Sequence, residues 1–468
     1  MRSSAYNKVP IKIAGQSYEH RSTAVSIQKT MNLIPQSEIT GANDSSLQSW
    51  PGLVSRYSAT GVDRGMTVFN NELYKVTGTT LYKIASDFTT TNIGTIVGSS
   101  RCVFANDGTN LVITSGGRGY QLTGSTLTQI TDPEFLGGDS CAYFRTYIVF
   151  DGPDNQFQLA EAGNPDDFRA DYIARAEDTP GNTKRVFTWR DQLYVFCEKV
   201  VEVWYFVGSN TPPITKVQNA TMQVGLAAIH SVQASDEFVY FLGDDRRVYR
   251  FSATQPENIT SIAISHQLDK LGNLEGAVAD VIRIEGQSFY VLSVKGKTFA
   301  FNESSGAWFN LSTLASEEEY RFKSFVECYG RRLCADGGNI LELDLNAYDN
   351  AGEVMINERI LGPITARELG LGNSRVLMSR LWLDLEAGVG LAAGQGDDPQ
   401  LMVSASFDGG KSFTNESDVL LGRSGEGRLD VKWDHCESFR TMFIKIRCSD
   451  PVFLSLIGST LEVKAGGI

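Results

Sequence analysis

A repeating pattern of alternating hydrophobic and polar residues runs through the middle of the chain. In its first copy, two alternating runs, 66–76 and 81–84, are separated by the polar turn 77–80, which contains a glycine. Two such runs joined by a short turn predict a β-hairpin. Six similar hairpins follow, and the equivalent positions recur at spacings of 38, 36, 46, 46, 50 and 44 residues: Leu73, Leu111, Tyr147, Leu193, Val239, Phe289 and Leu333.

This spacing is typical of the blades of a β-propeller. A four-stranded blade takes about 40 to 50 residues and cannot bury both of its faces alone, so that copies stack around an axis and close into a ring. We therefore predict a mainly β fold with a six- or seven-bladed β-propeller over residues 61–345. An array of two-sheet β-sandwiches would show a similar pattern and stays open as an alternative.

The two flanking regions lack the repeat. Residues 1–60 are rich in Ser, Asn and Gly and predict an extended N-terminal arm. Residues 346–468 contain alternating runs without the blade spacing and predict a separate C-terminal β-sandwich. A single helix is predicted over 265–271, with Ser265 as its N-terminal cap.

The arm contains too few apolar residues to form a core of its own. We expect it to be poorly ordered alone and to bury its apolar side chains against a partner protein or a neighbouring copy. The predicted partner-binding residues are Leu33, Ile34, Trp50 and Leu53. Trp50 is the strongest candidate, because large aromatic side chains dominate the energetics of interfaces. The alternative is that the arm supplies a strand that closes the propeller.

Charge narrows the range of functions. Forty-two Lys and Arg residues against 55 Asp and Glu residues give a formal net charge of −13, which argues against a protein that wraps nucleic acid.

The sequence has neither an N-terminal apolar run typical of a secretory signal nor a stretch of about 20 apolar residues, so we expect no membrane span. The seven scattered cysteines are interpreted as small buried hydrophobic residues.

Three features of the sequence are of types that can bind ligands or take part in catalysis. The segment 406–413 fits the Asp-box S-x-D-x-G-x-[ST]-[WF], in which an aspartate caps backbone N–H groups of a turn. The segment 388–393 fits a dinucleotide fingerprint, but the Gly- and Asp-rich stretch after it cannot begin the necessary helix. The four histidines and the pair Cys328 and Cys334 lack metal-site spacing. We therefore predict no catalytic, cofactor-binding or metal-binding residues, and no enzyme activity.

Several short segments, in their order along the chain, resemble the packaged-DNA-stabilisation proteins, or tail hubs, of short-tailed bacteriophages. They are Asn32-Leu33-Ile34-Pro35, Pro51-Gly52-Leu53, Gly61-Val62-Asp63-Arg64-Gly65, Trp189-Arg190-Asp191, 201–208, 223–227 and 450–455. No single segment is diagnostic. Their order and spacing carry the resemblance.

The resemblance implies a structural protein of the virion tail that has no catalytic activity and no cofactor. It implies a homo-oligomeric ring, a hexamer as in the family, below the portal and its adaptor protein. Such a ring retains packaged DNA, provides the conduit for its ejection, and attaches a tail needle and tailspikes. Double-stranded DNA would pass through without sequence-specific binding, and the protein would be made in the host cytoplasm. The alternatives are a glycan-binding or glycan-cleaving β-propeller and a host scaffold propeller.

Overall fold

The computed structural model describes residues 6–19, 26–37, 45–176, 181–209, 211–313 and 319–466. Alternating and fully apolar runs fold as β-strands, which are the main regular structure of this part of the chain. Before the first complete blade, the described residues form β1 Asn7–Ile11, β2 Tyr18–Glu19, β3 Ile27–Met31, β4 Leu33–Ser37, β5 Ser45–Ser49 and β6 Gly52–Tyr57.

The middle of the chain forms a β-propeller with seven blades among the described residues. Each blade is built from four antiparallel strands. The strands of the first four blades are β7 Asp63–Phe69, β8 Glu72–Thr77, β9 Thr80–Ile84 and β10 Thr90–Thr95; β11 Val103–Asn106, β12 Asn110–Ser115, β13 Arg118–Thr123 and β14 Thr126–Gln129; β15 Cys141–Phe144, β16 Tyr147–Asp151, β17 Gln156–Glu161 and β18 Asn164–Arg175; β19 Thr183–Trp189, β20 Gln192–Cys197, β21 Val201–Phe206 and β22 Ile214–Lys216.

The last three blades follow the same plan, with one exception. Their strands are β23 Gln233–Ala234, β24 Val239–Leu242, β25 Val248–Phe251 and β26 Glu257–Asn258; β27 Val278–Ile284, β28 Gln287–Val294, β29 Lys297–Asn302 and β30 Ala307–Leu311; β31 Lys323–Cys328, β32 Arg331–Asp336 and β33 Asn339–Asp344. The exception is the seventh blade, whose fourth strand is β6 from the N-terminal segment. The ring is therefore closed by a strand that precedes the first blade in sequence.

The prediction of a propeller is confirmed. All seven repeat positions lie on the second strand of a blade, from Leu73 on β8 to Leu333 on β32. Strand β12 shows why these strands are visible in the sequence, since all six of its residues are buried. A strand covered on both faces reads as a continuous apolar run. Six of the seven cysteines are buried, as predicted, and Cys436 is exposed.

The predicted helix is present, but its cap is a different residue. Helix α1 spans Ile262–Leu271 between the fifth and sixth blades. Ser261, and not Ser265, is the N-terminal cap, and its hydroxyl accepts a hydrogen bond from the backbone N–H of Ile264 at 3.3 Å. The apolar residues Ile264 and Leu268 are buried, as the periodic pattern predicts. Among the described residues, no helix is long and apolar enough to cross a lipid bilayer.

The C-terminal region forms two sheets that pack face to face. Its strands are β34 Asn357–Thr365, β35 Val376–Leu385, β36 Gln400–Ser406, β37 Ser417–Leu420, β38 Lys432–Phe439, β39 Thr441–Cys448 and β40 Ser455–Ala465. One sheet has the order β38-β35-β40-β5-β4, with β1 also paired to β40. The other contains β34, β39, β36 and β37. A shared core that includes Leu381, Ile444 and Leu461 lies between them.

The predicted arm does not form a separate unit in the structure. Strands β1, β4 and β5 belong to a sheet of the C-terminal region, and β6 belongs to the seventh blade. Strand β3 lies between β30 of the sixth blade and β34, and it joins the two into one ten-stranded sheet. The predicted boundary at residue 60 is wrong for β6, because pairing of β6 with β33 covers the otherwise open edge of the last blade.

Candidate functional site

The axis of the propeller contains a small polar cavity. Its volume is about 250 Å³, and its lining comes from the first strands of six blades: β7, β11, β19, β23, β27 and β31. Strands from opposite sides of the ring can line one cavity only at its centre. The axis is the candidate site because it gathers charged groups from blades that are distant in sequence.

A network of charged side chains joins the last blade to the first at this axis. The Ser324 hydroxyl, on β31, donates to Asp63 Oδ2 on β7 at 2.7 Å. The guanidinium of Arg101 donates to the same Asp63 oxygen at 3.2 Å and to Ser324 Oγ at 2.6 Å. The Ser324 backbone N–H donates to Asp280 Oδ2 on β27 at 3.1 Å. The network therefore connects the sixth, seventh and first blades.

Local backbone geometry places Ser324 at the centre of this network. Its φ angle is 58°, and it lies in an irregularity of the pairing between β31 and β32. Such a bulge bends a strand and changes the direction in which its groups point. The Ser324 N–H and hydroxyl are consequently used by axial carboxylates and not by the neighbouring strand.

Lys75 adds a second link between the first and last blades. Its Nζ lies 3.6 Å from Asp63 Oδ1 and donates to the backbone oxygen of Gly337 at 2.6 Å. Burial lowers the pKa of Lys75, and the charge of Asp63 opposes this shift. Burial likewise raises the pKa of Asp280 to about 6, against the opposing effect of Arg101. A buried network with its charges paired is suited to fixing one geometry, here the closed ring.

The predicted partner-binding residues lie in two different cores of the same chain. Leu33 packs in the core of the C-terminal sandwich. Ile34, Trp50 and Leu53 pack in a core formed with the sixth and seventh blades. All four side chains are buried. The expectation that they need a partner for their burial is therefore wrong, because β4, β6 and the link between β5 and β6 place them between sheets of their own chain. Binding of a partner by these residues stays a prediction.

Trp50 is the largest of these four buried side chains. Its side chain is 0% exposed, and its indole Nε1–H donates to the Tyr320 hydroxyl at 3.2 Å. Its ring centroid lies 5.5 Å from that of Phe289 and 5.9 Å from that of Phe309. The contact with Phe289 is edge-on, a geometry that stabilises aromatic clusters beyond simple burial.

Asn32 connects the arm with both large units. Its φ angle is 54°, a left-handed conformation that Asn tolerates better than most residues. The buried amide donates to the backbone oxygens of Ser312, after the sixth blade, and Ile356, before β34, at 3.0 and 2.9 Å. The amide oxygen accepts from the Ser312 N–H at 2.9 Å. One side chain therefore ties three parts of the chain together.

The Asp-box folds as the sequence predicts. The Asp408 carboxylate accepts hydrogen bonds from the backbone N–H groups of Lys411 and Ser412 at 2.9 and 3.0 Å, and from the hydroxyls of Ser406 and Ser412. These bonds, first of all the one from the Ser412 hydroxyl, hold the pKa of Asp408 well below its usual value. The carboxylate stabilises its turn.

Sequence reasoning missed the axial residues. Asp63, Asp280 and Ser324 each lie on the first strand of a blade, and Arg101 precedes one. The repeat locates the second strand of each blade in the sequence. A charged residue in the strand just before it is then the available signal for an axial position. That signal does not say which charged residues meet, because the contacts join residues as far apart as Asp63 and Ser324.

Seven four-stranded blades around a common axis, closed by a strand from the N-terminal segment, define a β-propeller. The family model described as "Bacteriophage P22 Gp10, beta-propeller" matches residues 7–348. The chain belongs to this family. The matched range includes the arm strands and all seven blades.

A curated relative is similar over much of the chain. It is the tail hub protein gp10 of Salmonella phage P22, which is 24% identical over 344 residues, covering 66% of this chain and 71% of the relative. The family relationship supports a structural role in a phage tail, in assembly with other tail proteins.

Solved structures show weaker similarity. The extracellular domain of a two-component system from B. thetaiotaomicron has a TM-score of 0.44 and 8% identity, covering 73% of this chain and 45% of that structure. The WD40 domain of Neurospora crassa Pan2 has a TM-score of 0.40 and 11% identity, covering 63% of this chain and 95% of that domain. Similarity at this level carries no argument about function.

Proposed function

We propose that this protein forms a ring in the tail of a short-tailed phage, below the portal and its adaptor protein. The ring, a hexamer as expected from the family, retains packaged DNA and forms the conduit for its ejection. It also offers attachment surfaces for a tail needle and tailspikes. The observation that carries the proposal is the family match over residues 7–348, which extends through the arm and every blade.

The way the N-terminal strands join the propeller to the sandwich supports a role in which the protein resists mechanical force. The N-terminal strands pair in the seventh blade, between the sixth blade and the sandwich, and with β40 in the sandwich sheet that also contains β35 and β38. Separating the propeller from the sandwich would break the backbone pairing of β3 with β34 and expose the cores that Leu33 and Trp50 occupy. A unit built in this way resists displacement of its parts, which suits a ring that holds back DNA.

The proposed DNA conduit lies between copies of the protein and not along the axis of one propeller. The axial cavity measures about 250 Å³, and the contacts among Asp63, Arg101 and Ser324 lie along its lining. Duplex DNA, whose major groove alone is about 12 Å wide, does not fit in such a space. The net charge of −13 per copy supports passage without adhesion, since DNA phosphates are repelled by an acidic protein.

A nonsense allele in the phage that encodes the protein tests this function. Particles made without the protein should package DNA and then lose it, so that the nuclease-protected DNA per particle falls. Expression of the wild-type chain from a plasmid is the control and should restore retention. Electron microscopy of the restored particles should show the protein in the tail. Particles that lack the protein but retain their DNA and infect normally would contradict the proposal.

A further inference from the structure

Arg185 is a buried cation with no carboxylate in salt-bridge range among the described residues. It lies on β19, is 8% exposed, and lines the axial cavity. Its Nη1 donates to the backbone oxygen of Ile229 at 2.5 Å, whereas its Nε has no hydrogen-bond partner in the part of the chain that the structure describes. Its guanidinium carbon lies 5.6 Å from the centre of the Phe187 ring. Burial lowers the pKa of Arg185 to about 10, a value at which the group stays charged at neutral pH.

The other cations at the axis differ from Arg185 in having their own counter-charges. Arg101 and Lys75 both pair with Asp63. An uncompensated buried charge is strongly unfavourable, and proteins normally pair it or bind a counter-ion. The Asp151 carboxylate also acts on the charge of Arg185, but from beyond salt-bridge distance. Among the described residues, the guanidinium therefore has no carboxylate in direct contact, and it lines a cavity in which an anion can bind.

The cavity next to Arg185 can supply that ligand. His230 shares the lining, and burial, followed by the charges of Arg185 and Arg101, lowers its pKa to about 3. The imidazole is therefore neutral at neutral pH and retains one N–H donor. Asp280, on β27, also lines the cavity, but it already accepts the Ser324 N–H and lies near Arg101. The side of the cavity formed by Arg185 and His230 thus offers donors and a positive charge.

We propose that the axial cavity binds a small oxyanion at Arg185, with His230 as a second donor. The guanidinium is planar and binds phosphate or carboxylate oxygens in a fixed geometry. The chemistry is shared by two sources, a dissolved phosphate ion and the carboxylate of a small organic acid. This binding site is independent of the proposed role in the tail, since it requires only the folded propeller.

Calorimetric titration of the purified full-length protein tests the site. Sodium phosphate and sodium acetate are titrated separately, in a phosphate-free buffer at matched ionic strength. Saturable binding of phosphate alone identifies the phosphate source, and saturable binding of acetate identifies the carboxylate source. Arg185→Gln should weaken binding about tenfold or more, because charge-assisted hydrogen bonds are lost. The matched control is Arg145→Gln, which removes an exposed arginine paired with Asp191 and should leave binding unchanged.

Two further measurements keep the test decisive. In phosphate-free buffer, Arg185→Gln should melt at or above the wild-type temperature, because it removes a buried charge that contacts no carboxylate among the described residues. Crystals of the wild-type protein soaked in selenate should show an anomalous peak beside Arg185, which tests the site even if the variant does not fold. Absence of saturable binding to both anions, undiminished binding in Arg185→Gln, or selenate bound only elsewhere would overturn the proposal.

Discussion

Replacement of Trp50 by alanine distinguishes two hypotheses: that the N-terminal arm is part of the folded core of its own chain, and that it is buried only when a partner protein binds. In the structure the indole is enclosed by Phe289, Phe309 and Tyr320. Truncating a fully buried tryptophan costs about 3 to 5 kcal/mol, the sum of lost burial and a cavity that only partly collapses. The Tyr320 hydroxyl would lose its indole donor, which adds about 1 kcal/mol. We expect a free energy of unfolding lower by about 4 kcal/mol or more.

The assay is urea unfolding of the purified chain, followed by far-ultraviolet circular dichroism so that loss of a fluorophore does not bias the result. Trp50→Phe is the matched variant. It keeps an aromatic ring but cannot donate to Tyr320, and it should lose only part of the stability. Tyr205→Ala, at a side chain that is 44% exposed, is the surface control and should change the midpoint little.

The opposite outcome is equally informative. If Trp50→Ala unfolds at the wild-type urea concentration but fails to enter phage particles, then the indole acts at an interface and not in the core. That result would refute the conclusion that the arm, through Trp50, stabilises the fold of its own chain. It would instead support the sequence-based hypothesis that Trp50, Leu33, Ile34 and Leu53 bind a partner.

Three other expectations follow from the structure and the charge. Asn32→Ala removes three buried hydrogen bonds and should lower the free energy of unfolding by about 3 kcal/mol, whereas Asn32→Gly loses the same bonds but accommodates the positive φ angle, so comparing their urea midpoints separates the two effects. Burial raises the pKa of Asp151 to about 7, so the folded state binds this proton more tightly than the unfolded state, and stability should fall as the pH rises from about 4 to about 7. Asp151→Asn keeps an acceptor for the Ser140 N–H and should flatten this fall, by up to about 4 kcal/mol, in urea midpoints at pH 5 and pH 8; an unchanged pH profile would contradict the assignment. Finally, the charge of −13 per copy should keep the isolated protein mainly monomeric in light scattering at low salt, and a stable closed ring without a partner would count against templated assembly.

The propeller was predictable from the sequence because its second strands are covered on both faces. Such strands carry continuous apolar runs, as in Leu111–Ile113, and their spacing repeats. The closing strand carries no comparable signal. Its pairing joins Tyr57 to Ile340, and nothing in either local pattern refers to the other. The same reason explains the wrong prediction for the arm. A short apolar segment has the same sequence pattern whether it is buried by another protein or by a distant part of its own chain.

The axial residues illustrate a second kind of limit. Arg101 and Asp63 are ordinary charged residues in the sequence, and only the ring brings them together. Likewise, the periodic pattern predicts Ser265 as the cap of α1, but the structure uses Ser261, one helical turn earlier. Element type is set by periodic burial, whereas the residue that ends an element is set by one or two hydrogen bonds that a periodic pattern does not record.

The pairing of the closing strand β6 with β33 also determines when the propeller can close during synthesis on the ribosome. Tyr57 is made early, but its pairing partner Ile340 is 283 residues further along the chain. At synthesis rates of about 5 to 20 residues per second, the closing strand waits roughly 15 to 55 s before its blade exists. During this interval Leu33, Ile34 and Trp50 have no core to enter. Translation speed and chaperone access over that window should therefore influence the yield of native protein more than any local feature of the arm.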